Sequence, residues 1–200
     1  VSTKEPFQKL INQGLILGSD GQKMSKSRGN TVNPDELVEK FGADSLRLYE
    51  MFMGPLEDAK PWQPEGIIGL CRFLARVFNL AADLKKMENS KEEKMPESAE
   101  KLLNKTIKKV TGDIEQFRFN TAISAMMILV NELEKNRDSL SVKQFLIFLK
   151  LLFPFAPHLS QELWQQLGNE SLLDNESWPD YDEKFIIEEE VELLIQINGK

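Results

Sequence analysis

The chain has 200 residues, with 25 Lys and Arg against 32 Asp and Glu for a formal charge of −7, and 41% of it is hydrophobic. A single cysteine, Cys71, excludes an internal disulfide and any multi-cysteine zinc or iron–sulfur centre, which makes the reducing cytoplasm the expected compartment. No apolar run approaches the roughly 18 residues of a membrane span, and the length suits one large or two small domains with a core that needs no covalent staples.

Charge is unevenly spread. Residues 66–118 carry eleven basic and eight acidic side chains, whereas 119–200 carry six and fourteen. The acidity therefore sits in the last third, and the stretch from Arg72 to Arg118 is a basic minority. On charge alone it is either a docking face for an anionic partner or the solvated faces of helices.

In chain order, residues 6–13 are expected to form a short helix, with Pro6 near its start and Gly14 as its stop. Leu15-Ile16-Leu17 reads as a strand and Gly18-Ser19-Asp20-Gly21 as a turn. Residues 22–31 lack apolar periodicity and are expected as an exposed loop. Asn33, Pro34 and Asp35-Glu36 open a helix that stops at Gly42, and a second runs over about 44–53. Pro55, Pro61 and Pro64 mark a boundary. Beyond it, Ile67, Leu70, Phe73, Leu74, Val77, Phe78, Ala81 and Leu84 make one apolar stripe over about five turns.

Residues 88–98 read as a charged linker. Leu103, Ile107, Val110, Ile114 and Phe117 then mark a helix at four- and three-residue spacing, and another is expected over 121–135. Ser141 with Gln144 is a capping box for a helix over 142–153 that is apolar nearly all round and so central. Pro157 starts a last helix that stops at Gly168. Residues 191–197 read as a strand and Asn198-Gly199 as a hairpin turn with no second strand after it. With no initiator Met before Val1, both ends are expected to be cuts within a longer chain.

Asp20–Gly29 is the stretch that carries chemistry. Lys23 and Lys26 stand three apart among Ser25, Ser27 and Gly29, too polar for a core. Ammonium groups, hydroxyls and free backbone N–H groups in such a loop can surround a triphosphate and neutralise charge on a leaving pyrophosphate. Composition alone favours the plainer reading, a hairpin tip with two solvated lysines and an incidental Ser-rich turn. A Walker-A spacing is absent.

Lys23-Met24-Ser25-Lys26-Ser27 is identical to the KMSKS signature of class I aminoacyl-tRNA synthetases. Its surroundings, Arg28-Gly29-Asn30, Asn33-Pro34-Asp35, residues 42–49 and the block from Gly54-Pro55-Leu56-Glu57 to Lys60-Pro61-Trp62, resemble the bacterial leucyl type. Residues 72–77, 119–127 and 154–159 resemble the helical tRNA-binding domain of the same enzymes. The isoleucyl, valyl and methionyl enzymes share the signature and the helical plan. A stand-alone helical RNA-binding module is the alternative of a different class.

The resemblance implies that Lys26 contacts ATP, that Lys23 shares phosphate charge, and that Ser25 and Ser27 contribute more weakly. It implies a reaction in which leucine is activated by ATP, with Mg2+, to leucyl-adenylate and passed to tRNA for leucine. Arg72 and Arg76, one turn apart, are expected to contact tRNA, and no membrane is involved. The companion His-Ile-Gly-His signature is absent, since His158 is the only histidine, so the chain is not expected to aminoacylate by itself. His158, Cys71 and the Met126-Met127 pair are read as structural, and Trp62 as packing at a junction.

The expected fold is mainly α: a small mixed α/β segment bearing the lysine loop (1–62), an antiparallel bundle of about five helices (63–180), and the first strand of a truncated C-terminal sheet (181–200).

Overall fold

Among the described residues, seven α-helices arise where the sequence places its caps and stripes, together with two very short strands. The computed structural model describes residues 4–7, 9–86 and 95–186. Strand β1 (Ile16–Leu17) pairs in parallel with β2 (Lys60–Pro61). Between them run α1 (Pro34–Phe41) and α2 (Ala43–Phe52). After β2 come α3 (Gly66–Lys86), α4 (Glu97–Glu115), α5 (Phe119–Lys135), α6 (Val142–Leu152) and α7 (Pro157–Gln166).

The start and stop signals act as expected. The Asn33 side chain accepts the Asp35 N–H at 3.1 Å, Pro34 takes the first helical position, and Asp35 and Glu36 face the positive end of α1. Gly42 ends it at φ 85, ψ 151, a conformation only glycine adopts at no cost. Ser141 and Gln144 form the reciprocal capping box of α6.

Packing follows the stripes. Ile67, Leu70, Phe73, Leu74, Val77, Leu80, Ala81 and Leu84 are the buried face of α3. Helices α4 and α5 pack along each other as a hairpin joined by Gln116–Arg118, and α6 supplies Phe145, Phe148, Leu149, Leu151 and Leu152 with no exposure. Each such side chain contributes roughly 1.5–3 kcal/mol by leaving water. The core is one cluster from Leu46 to Leu173, so α2 shares it with the later helices.

Polar groups fix the corners. Asp44, on α2 and 7% exposed, accepts the Leu159 N–H at 2.7 Å and the His158 N–H at 3.4 Å, capping α7 from 114 residues away. His158 Nδ1 lies 2.8 Å from the same carboxylate, a structural place for a histidine whose acidic partner the local sequence does not show. Asp113, fully buried, binds Lys109 Nζ at 2.7 Å, Arg118 Nε at 3.0 Å and Thr121 Oγ1 at 2.6 Å. It holds the α4–α5 turn, in which Phe117 takes φ 57.

Four expectations change. Residues 6, 7 and 9–13 form no helix. Phe7 and Leu10 are 82% and 84% exposed, and a segment this short without a buried face cannot offset the cost of nucleation. Strand β2 was not expected where three prolines cluster. In parallel pairing the Lys60 and Trp62 N–H groups face Leu15 and Leu17 (3.0 and 2.9 Å), so the donor that Pro61 lacks is not needed. The charged linker ends earlier than 98, because Met95 is buried and α4 begins at Glu97. Residues after α7 return across α4, with Trp178 Nε1 donating to Thr111 Oγ1 at 2.8 Å and the Asp182 N–H to Asn104 Oδ1 at 2.8 Å. The strand and turn expected over 191–199 lie outside the described residues.

Asp44→Ala removes the cap of α7 and leaves its first N–H groups unpaired at a buried site. The expected loss is about 1–2 kcal/mol in urea unfolding followed by circular dichroism, with the helical signal before the transition unchanged.

Candidate functional site: the lysine loop and the helical face

After β1 the chain turns at Gly18, whose N–H bonds the Gln22 carbonyl at 2.8 Å, and Lys23 returns to bridge Leu17 in antiparallel fashion. Lys26, Ser27 and Arg28 then make a single 3₁₀ turn that closes at Gly29, φ 67. The Arg28 N–H bonds the Ser25 carbonyl at 3.1 Å, and Ser25 Oγ lies 2.7 Å from Ser27 Oγ. Lys23, Lys26, Ser27 and Arg28 are exposed, while Met24 and Ser25 are half-buried. Among the described residues neither Lys23 nor Lys26 has a salt-bridge partner within 4 Å. The structure thus brings the two lysines and two serines of the signature onto one short projecting loop.

Two residues that the sequence reading did not single out hold that loop. Asn30 Oδ1 accepts the Ser25 N–H at 2.9 Å, and Asn30 Nδ2 donates to both Asp20 carboxylate oxygens at 3.1 Å. The Gln22 N–H donates to Asp20 Oδ1 at 3.0 Å. That bond, then the Asn30 amide, holds the Asp20 carboxyl below the usual carboxylate range. The signal was an Asx pair flanking a glycine-containing loop, since both side chains readily bond nearby backbone.

At the far side of β1, the loop's base meets the bundle. Trp62 is 5% exposed, and its ring lies 4.9 Å from that of Tyr49 in an edge-on arrangement. Tyr49 Oη donates to the Gln63 carbonyl at 2.6 Å and accepts the Gln63 N–H at 3.1 Å. Burial raises the Tyr49 phenol above its ordinary pKa and lowers that of Lys60, whose Nζ donates to the Gly54 carbonyl at 3.0 Å. The junction role expected of Trp62 is where the structure puts it.

The two arginines of α3 differ. Arg72 is exposed, with no salt bridge within 4 Å among the described residues. Arg76 is committed to α5: Nε donates to Glu134 Oε1 at 3.0 Å, Nη2 donates to Glu134 Oε2, and Nη2 donates to Asn131 Oδ1 at 2.6 Å. A cleft of about 730 Å3 lies between residues 9–13, 55–58 and 116–118, and no residue of the lysine loop lines it. No helix of the described residues is long and apolar enough to cross a membrane.

The Arg76 guanidinium holds the Glu134 carboxyl below its ordinary range. A depressed folded-state pKa contributes stability that is present at neutral pH and lost as acid protonates the group. Glu134→Gln is therefore expected to lower stability at pH 7 by less than about 1 kcal/mol, since the pair is partly exposed. The difference from wild type should vanish in urea titrations acidic enough to protonate Glu134.

Comparison with known proteins agrees with this layout. Residues 97–200 match the anticodon-binding domain of tRNA ligase. Residues 1–60 match the class I tRNA synthetases (I, L, M and V). Among solved structures, the chain is similar to the agnB2 LeuRS of Agrobacterium radiobacter K84, determined as a ternary complex with tRNA and LeuAMS. Identity is 35% and the TM-score 0.81, over 92% of this chain and 25% of that one. The chain thus spans about a quarter of that relative's length. An N-terminal segment bearing the lysine loop, continuous through β2 and Trp62 with a helical bundle of the anticodon-binding type, places this chain among the class I aminoacyl-tRNA synthetases, in the anticodon-binding domain family of tRNA ligases.

Proposed function

We propose that the chain is the C-proximal part of a leucine–tRNA ligase, supplying the lysine loop that acts on ATP and a helical surface that docks tRNA. The observation that carries the first role is the presentation of Lys23 and Lys26, exposed and without a salt bridge among the described residues, on a loop whose stem is tied down. Exposed lysines that alternate along a loop with serine hydroxyls are suited to a polyphosphate. The leucyl assignment rests on the likeness to the LeuRS complex and on the block from Gly54 to Trp62, which here folds as the seat of the loop.

In the proposed reaction the leucine carboxylate attacks the α-phosphorus of ATP, pyrophosphate leaves, and the acyl group passes to the terminal adenosine of tRNA. Lys26 neutralises charge that builds on the departing pyrophosphate, Lys23 shares it, and Ser25 and Ser27 offer hydroxyls to the phosphates. Among the described residues no group of three or more His, Cys, Asp or Glu side chains gathers to hold a Mg2+ ion. In the proposed reaction Mg2+ would enter with ATP on its phosphates, and what the lysine loop itself offers the triphosphate is cationic.

The proposed division is a loop and stem-contact segment over 1–62, the tRNA-binding bundle over 63–180, and the start of a further domain over 181–200. The setting proposed is the cytoplasm, consistent with one unpaired thiol. Arg72 is the leading phosphate contact on α3. Arg76 joins it only by sharing or exchanging Glu134, so its contribution is smaller.

In the full-length enzyme Lys26→Ala is expected to lower ATP–pyrophosphate exchange about 10²- to 10³-fold while tRNA affinity changes less than about twofold. Exchange at the wild-type rate refutes the catalytic role. Arg72→Ala should weaken tRNA binding in low-salt titrations and flatten the dependence of log K on log salt by roughly one. An unchanged slope removes Arg72 from the interface.

A further inference from the structure

The lysine loop has little apolar packing, Met24 alone among residues 20–29 lying partly buried against the core, so polar bonds must give it most of its shape. Its backbone bonds are few, and most are internal to the turns at Gly18–Gln22 and Ser25–Gly29. What joins these turns is a single carboxamide. Asn30 uses its acceptor on the Ser25 N–H at 2.9 Å. Its Nδ2 serves both Asp20 oxygens at 3.1 Å, with the Lys23 carbonyl at 3.4 Å. The Asp20 carboxylate in turn fixes the Gln22 N–H at 3.0 Å.

The partners are chemically specific. A carboxamide accepts through its oxygen while it donates through its nitrogen, and the bonds to Asp20 are charge-assisted. Gly18 makes room for the arrangement, because a Cβ there would stand 2.7 Å from Asp20 Oδ1 and 2.8 Å from Asn30 Nδ2. The tied points are Asp20, Gln22, Lys23 and Ser25, which bracket the first signature lysine and end one residue before the second. Lys26–Gly29 make only local turn contacts beyond them.

We propose that Asn30, braced by Asp20, is a positioning residue for ATP activation: its carboxamide sets the backbone from Lys23 to Ser25 and thereby the direction from which Lys26 meets the phosphates. The proposal rests on the ATP-directed reading of the loop given above. Asn30 contacts no phosphate in it and acts only through the lysines. Asp20, Lys23 and Ser25 are exposed or half-buried and contribute nothing to the core cluster, so the role separates from folding.

The test uses the full-length enzyme with Asn30→Asp, the double variant Asp20→Asn/Asn30→Asp, and Lys26→Ala in parallel. Asn30→Asp sets two carboxylates against each other where a donor met an acceptor. It is expected to lower the kcat of ATP–pyrophosphate exchange about 10²-fold, the scale of a mispositioned reacting group. The KM for ATP should change less, tRNA affinity not at all, and the melting temperature by no more than about 2 °C. The double variant exchanges amide and carboxylate: it keeps acceptors for the Ser25 and Gln22 N–H groups and one of the two bonds between positions 20 and 30, loses the other and the long one to the Lys23 carbonyl, and is expected to recover a large part of the lost rate. Asn30→Asp exchanging at the wild-type rate overturns the proposal. So does a double variant as impaired as the single one, or a melting temperature that falls with the rate. If Lys26→Ala also exchanges at the wild-type rate, the ATP reading of the loop has failed. If Lys26→Ala is impaired and Asn30→Asp is not, only the positioning role has failed.

Discussion

Everything the N-terminal segment does depends on two backbone hydrogen bonds, Lys60 N–H to Leu15 and Trp62 N–H to Leu17. The loop that follows β1 is largely polar and solvated, and Met24 and Val32, only partly buried against the core, hold it weakly by burial. The parallel pair connects it to β2, and β2 ends in Trp62, which is sunk against Tyr49 on α2. Close approach is part of the same constraint. A Cβ at Gly14 would fall 2.0 Å from the Asp58 carbonyl oxygen, so the chain can enter β1 only with glycine there. A loop whose own contacts are weak is thus carried on a rigid seat, which is the arrangement that a positioned cationic group needs.

Charge is sorted by the fold into two populations. Carboxylates that are buried have work inside the molecule: Asp44 caps α7, and Asp113 gathers Lys109, Arg118 and Thr121 at the α4–α5 turn. Arg76 and Glu134 tie α3 to α5. Such pairs contribute modestly to stability where solvent reaches them, yet they remove cations from the pool open to an anionic ligand. Lys23, Lys26 and Arg72 stay outside these pairs. A formal charge of −7 therefore says little about affinity for polyanions, since the acidity lies mainly after residue 119 whereas Lys23, Lys26 and Arg72 lie before residue 73.

Two segments show how far apart in sequence the stabilising partners lie. Asp44 and Leu159 are 115 residues apart, and Trp178 reaches Thr111 across 67. Both contacts close the bundle at its ends, one joining α2 to the start of α7 and the other returning the chain over α4. Together with Arg47 Nη2 on the Pro154 carbonyl at 2.9 Å, they bind the segment that follows the loop to the last helices. Loop, seat and bundle consequently share one core.

The sequence by itself determined the helices, because their signals are local. Apolar residues three and four apart fixed the buried faces of α3 and α4, and Asn33-Pro34, Gly42 and the Ser141–Gln144 box fixed boundaries to within a residue or two. The lysine loop was legible too, through five residues in unbroken order. Only tertiary structure decided what those elements do for one another. Residues 6, 7 and 9–13 have helical-looking ends but found no face to bury. Lys60-Pro61 became a strand because Leu15 and Leu17 offered carbonyls. Arg76 looked like the twin of Arg72 until Glu134 arrived from 58 residues away. Asn30 and Asp20 were ordinary turn residues until the fold of the loop set an amide against a carboxylate. Periodicity and caps act over a few residues and can be read along the chain, whereas pairing of charges and of strand edges acts across space and exists only once the chain has closed on itself.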